Sequence, residues 1–228
     1  MEIFILPSVH ILSSNKAHVR RAFDIARPDC LAVELCMARL ASITSGRKPS
    51  ALDMLKNPML TGLFFIQQSL GLILGAKPGE EMIEAAKISG ETKTPLLLAD
   101  VPIDRTMACI SKAPLREKLA VILPQRGRVD VDFSKLEGLA SPDVLAYALM
   151  GFEKTAPRLY SCLISARNDF IFKSVLSCNR RRVLLIVGAG HAPGIIRLIN
   201  SFNANSHVQI SYKVMDYQQL SGGQAAHA

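Results

Sequence analysis

Four short apolar runs punctuate the chain: IFIL at residues 3–6, CLAVEL at 30–35, PLLLA at 95–99 and VLLIV at 183–187. None alternates polar and apolar residues at period two. Strands buried on both faces read this way, and such strands build parallel sheets covered by helices on either side. The intervening segments carry helical spacing. Helices are expected at 14–26 (with Ser13 or Ser14 as the cap), 59–74, 80–89, 105–123, 142–154, 158–176 and 193–202, with a broken helical region after residue 35. Residues 207–215 are more polar and fit a closing edge strand. The expected fold class is therefore α/β, with a mixed, largely parallel β-sheet flanked by helices. One domain is expected over 1–220, with a polar loop at 125–131 and a small, polar tail at 221–228 expected to be disordered.

The formal charge of +8 would suit an anionic partner, but the 27 lysines and arginines are scattered. The one run, Arg180-Arg181-Arg182, reads as a solvated strand entrance, so nucleic acid is a disfavoured partner. The five cysteines are odd in number and form no CxxC pair. That argues against a disulfide framework and a zinc ribbon, and for a reducing compartment. Cys30, in an apolar strand, reads as a small hydrophobe. The start, MEIFILPSVH, lacks the basic opening of a signal peptide. The longest apolar stretch, 59–76, is nearly long enough to cross a bilayer, but Gln67 and Gln68 at its centre favour a buried or interfacial helix. A cytoplasmic location is expected, with contact at a membrane surface and homo-oligomerisation left open.

Ligands of open α/β sheets gather at the carboxyl ends of the strands. After the first run comes Pro7-Ser8-Val9-His10. The second ends at Glu34, the third at Asp100, and the fourth at Gly188-Ala189-Gly190-His191. If these strands are parallel neighbours, two imidazoles and two carboxylates meet at one edge. Two histidines and a carboxylate can hold a divalent transition metal, whose bound water becomes a nucleophile. Without a metal the same groups can do acid–base work. Each histidine alone reads more simply as a hydrogen-bonded structural residue. Glu34 is less ordinary, because an unpaired carboxylate in an apolar strand is costly. It needs a partner, and Arg39 is the candidate. Arg167-Asn168-Asp169 interrupts an amphipathic helix; it reads either as an exposed face or as a helix aiming Arg167 or Asn168 at the site. Gly188, Gly190 and Gly194 are spaced GxGxxxG, one residue off a dinucleotide fingerprint. Asp216 would then contact a ribose, but the twelve residues after it are too few to complete such a domain.

Taken together, RPDCLAVELCMAR, LGLILGAKPGEEM, DVPIDRTM, SARND and VGAGHAPGI resemble the TraB/PrgY family of pheromone-shutdown and conjugal-transfer-related proteins. Through it the chain is similar to the TIKI and GumN proteins of the erythromycin-esterase-like superfamily. The stretches occur in family order and span roughly residues 1–200. The resemblance implies a TIKI/erythromycin-esterase-like fold and two GxxH motifs with a glutamate and an arginine between them. Carried over, these are His10, His191 and Glu34 as catalytic or metal-binding residues, with Arg167 and Asn168 catalytic or substrate-orienting. Arg39, Asp100, Gly188 and Gly190 are in support. It also implies a divalent metal, manganese or cobalt ahead of zinc, and a metal-dependent hydrolase of peptides or similar amides. Pro7, Val101, Pro102 and Ala166 depart from the family pattern. They keep a second expectation open, a non-catalytic protein that binds or sequesters a peptide in the same cleft. A nucleotide or nucleic-acid binder is the third.

Overall fold

The sheet is parallel throughout, in a computed structural model that describes residues 1–8, 15–45, 80–122, 142–216 and 220. Its five strands are β1 (Glu2–Ser8), β2 (Cys30–Val33), β3 (Leu96–Leu98), β4 (Arg182–Gly188) and β5 (Ser211–Val214). They lie in the order β3-β2-β4-β1-β5. The α/β expectation holds, and all four pairings are parallel, where a mixed sheet had been left open. The four apolar runs occupy adjacent positions, so their carboxyl ends share one edge. The more polar last strand takes an outer position and is shorter than expected, because residues 207–210 stay outside the ladder.

Strand alternation sends side chains to two cores. Ile3, Ile5, Cys30, Ala32, Val183, Leu185 and Val187 face one side. There they pack against α8 (Ala166–Ser177) and α9 (Ala192–Asn205). Phe4, Leu6, Leu31, Val33, Leu184 and Ile186 face the other, against α1 (Asn15–Ala26) and α3 (Glu80–Thr92). The helix α2 (Met37–Ser45) follows β2. A third apolar cluster gathers α4 (Ile103–Ser111) and α7 (Pro157–Tyr160), while α5 (Leu115–Ile122) and α6 (Pro142–Thr155) lie between them in the chain.

Two expected long helices are broken, each for a visible reason. The 105–123 helix divides into α4 and α5 at Pro114, which lacks an N–H to continue the ladder. The 158–176 helix contains a π-helical turn at Ser161–Ser165, where the Ala166 N–H reaches the Ser161 carbonyl five residues back. Three helices end on left-handed residues before a strand: Arg27, Lys93 and Asn179 have φ of 43°, 56° and 50°. Pro7 is tolerated inside β1. Met215 donates its N–H to the Ile5 carbonyl, so odd-numbered β1 residues turn their backbone toward β5, and that ladder stops at Val214.

Burial makes Cys30 the small hydrophobe that its strand suggested and pushes its thiol up to about 11. Cys109 and Cys162, however, form a disulfide across 53 residues. This corrects the expectation of unpaired cysteines: odd numbers and spacing say nothing about two cysteines that tertiary packing brings together. Among the described residues no helix is long and apolar enough to cross a membrane. The 59–76 stretch, the 125–131 loop and the 221–228 tail lie outside the described residues.

Candidate functional site

The site is assembled by strand alternation and by two helix starts. Cys30 and Ala32 face α8 and α9, so two residues on, Glu34 faces them too. Helix α8 leads into β4 and therefore runs back along the sheet, which places its first turn at the strands' carboxyl edge. Its buried face is Arg167, Asn168, Ile171, Phe172 and Val175, a helical stripe whose first turn is polar. Helix α9 leaves β4 at the same edge, with His191 as its N-cap residue.

These side chains form one buried network. Arg167 donates from Nη2 to Glu34 Oε1, and holds Asp100 with two bonds, Nε to Oδ1 at 2.9 Å and Nη2 to Oδ2 at 2.8 Å. Its Nη1 reaches the Leu163 carbonyl at 3.3 Å, inside the π-turn. Arg39 donates from Nη1 to Asp100 Oδ2 at 2.8 Å. The Gly188 N–H donates to Glu34 Oε2 at 2.7 Å. The imidazole of His191 is engaged at both nitrogens, with Nε2 3.2 Å from Glu34 Oε1 and Nδ1 2.6 Å from Asn168 Oδ1. Glu34, Asp100, Arg167, Asn168 and His191 are each no more than 9% exposed.

Burial alone would raise the Glu34 carboxyl. The His191 imidazole, the Arg167 guanidinium and the Gly188 N–H more than reverse this and hold it well below the usual carboxylate range. Burial opposes the charge on Arg167, but Glu34 and Asp100 beside it hold the guanidinium even more firmly protonated than usual. Two carboxylates and two guanidiniums balance. The starts of α8 and α9 add positive helix ends near the carboxylates.

Two sequence expectations change. Arg39 is not the partner of Glu34; it binds Asp100, and Glu34 takes Arg167 from a helix 133 residues away. The glycines of GAGHAPG were expected to permit a tight turn, yet none has a left-handed φ. Two of them serve close approach instead. A β-carbon on Gly194 would run into the Asn168 side-chain amide, and one on Gly188 would sit 3.3 Å from Glu34 Oε2. One on Gly190 would make only ordinary contact with Leu149 at 3.9 Å. His10 lies outside the described residues, so its relation to Glu34 and His191 is not described. Asp100 was read as supporting; its bidentate bond to Arg167 makes it central. The signal available was its place after the third apolar run.

The described residues do not by themselves fit a divalent metal. Glu34 Oε1 already carries a guanidinium, whose charge would stand against a metal ion, and both His191 nitrogens are taken. Among the described residues no group of three or more His, Cys, Asp or Glu is placed to hold one.

No family model matches the chain. It is similar to the protein MJ1365 of Methanocaldococcus jannaschii, 23% identical over 224 residues, covering 92% of this chain. The chain spans 56% of that relative's length. A solved structure titled for cofacial heme binding to ChaN of Campylobacter jejuni aligns with 94% of this chain and 81% of its own. The TM-score is 0.44 and the identity 14%, and no property of that protein is carried over.

Proposed function

We propose that the chain is a hydrolase of peptides or similar amides, with His191 as the proton-transferring group and Glu34 as its electrostatic partner. The observation that supports this most is the His191 ring, buried at the strands' carboxyl edge and fixed in orientation by Glu34 on one side and Asn168 on the other. A carboxylate held so firmly ionised is a weak base, which favours Glu34 as the group that stabilises an imidazolium over Glu34 as the proton acceptor. Arg167 and Asn168 then act as positioning residues, because their polar atoms are spent on Glu34, Asp100 and His191. The 3.2 Å contact between His191 and Glu34 is the longer of the ring's two, and substrate would compete for it.

The metal-dependent form implied by the TraB/PrgY resemblance needs a donor beyond the described residues, and His10 is the one that the sequence offers. No step is routed through a metal. A second reading, peptide binding without turnover, is favoured by the same saturation of polar atoms, since a charge-balanced network can be purely structural. The nucleotide reading has less support: the Gly188 N–H, which would face a phosphate in a glycine cradle, is given to a carboxylate.

The test is a screen of amide and peptide substrates with chelated and with manganese-, cobalt- or zinc-supplemented protein, run beside His191→Ala and His10→Ala. Turnover in chelator, lost in His191→Ala, supports the acid–base reading. Turnover only with metal, with stoichiometric binding lost in His10→Ala, replaces it with the metal-dependent form. Peptide binding without turnover, surviving both substitutions, would leave the sequestering protein.

A further inference from the structure

The Cys109–Cys162 disulfide lies between the two walls of the site. Cys109 is in α4, which starts three residues after Asp100. Cys162 is in the π-turn, five residues before Arg167. The bond therefore ties the element that follows Asp100 to the element that presents Arg167, and those two side chains meet in a bidentate ion pair.

The π-turn is what sets the direction of Arg167 and Asn168. One extra residue in a helical turn rotates everything after it by about 100°. With the turn in place, Arg167 and Asn168 share the buried stripe of Ile171, Phe172 and Val175. A regular α-helix from Pro157 would swing the pair off that stripe. The turn is anchored at three points: the wide Ala166-to-Ser161 bond, the Leu163 carbonyl on Arg167, and the disulfide at Cys162. Only the last is under chemical control from outside.

We propose that Cys109 and Cys162 are a redox-controlled positioning pair for this site, whose disulfide holds the π-turn that aims Arg167 at Glu34 and Asn168 at His191. The co-reactant is an external dithiol. Its thiolate attacks the Cys109 sulfur, which is partly exposed where Cys162 is 2% exposed. The protein's S–S bond breaks, Cys162 leaves as thiolate and takes a proton, and a mixed disulfide remains on Cys109. The second external thiol resolves it, so the protein gains two thiols and the reagent becomes a disulfide. Reduction frees the turn to relax, while the sheet, which contains neither cysteine, stays paired.

This rests on the site as the place of the chemistry, but its test does not depend on turnover. The full-length protein is equilibrated across dithiothreitol redox buffers. Cys109 and Cys162 are counted by alkylation and mass spectrometry, amide exchange is read at 161–168 and in β1 and β4, and the His191 imidazole is followed by NMR. The expected result is a loss of protection at 161–168 of tenfold or more, and a shifted His191 resonance, at the potential where the two thiols appear. Strand protection stays unchanged. A Cys109→Ala/Cys162→Ala double variant reproduces the reduced state in every buffer. Thiols that appear with no change at 161–168 or His191 would overturn the proposal. So would loss of strand protection in parallel, which makes the bond a general staple, or two free thiols under oxidising conditions. Failure of the hydrolase reading is separate: no substrate turns over in any buffer while the His191 shift persists.

Discussion

Removing the Arg167 guanidinium while keeping a stem of similar length, as in Arg167→Met, isolates the charge at the centre of the network. Arg167 neutralises two buried carboxylates. Asp100 retains Arg39, but Glu34 retains only the Gly188 N–H and His191. Breaking a buried pair by deleting one partner costs about 3–5 kcal/mol, because the other charge stays buried and uncompensated. With a urea dependence of about 2 kcal/mol per molar, the unfolding midpoint at pH 7 should fall by roughly 2 M.

The pH dependence gives the sharper check. In the wild type the folded Glu34 pKa lies below its ordinary 4.5, so its stabilisation is fully present above 4.5 and is lost as pH falls toward the depressed value. In the variant burial dominates and the folded value lies above 4.5. That term favours the folded state below 4.5 and is lost as pH rises through the folded value. The gap between wild type and variant should therefore narrow from pH 7 to pH 5. Urea titrations at both pH values measure it. A midpoint within about 0.5 M of wild type at pH 7, or a gap that widens on acidification, would refute the assignment of Arg167 as the counter-charge of Glu34.

Three further substitutions probe other links. Gly194→Ala should force the Asn168 amide aside and cost about 1–3 kcal/mol, with loss of the His191 Nδ1 hydrogen bond seen by NMR; a wild-type imidazole spectrum would contradict the close-approach role. Glu117→Ala removes the carboxylate oxygen that accepts the Arg158 and Leu159 N–H groups at 2.8 and 3.0 Å, and should cost about 1–3 kcal/mol in thermal unfolding. The Cys109→Ala/Cys162→Ala pair should lose up to about 4 kcal/mol of unfolding free energy by loop-closure entropy over 53 residues. Wild type should match it once reduced, and a difference that survives reduction would point to packing instead.

The four apolar runs determined the layered α/β plan by themselves, because a strand buried on both faces leaves no period-two signal and must be covered by helices. Parallel pairing then follows from the helical connections, and it carries Glu34, Asp100 and His191 to one edge. A carboxylate inside an apolar run also announces, without any structure, that a partner exists. Its identity does not follow. Arg39 is five residues away and was the local choice; Arg167 wins because α8 returns along the sheet and a π-turn rotates its polar first turn inward. The disulfide and the glycine contacts belong to the same class. Each depends on where two helices stop or bulge, by one residue in twelve, and propensity does not resolve that. Pattern in sequence reports which face of an element is buried. Only packing in three dimensions decides which two buried faces meet.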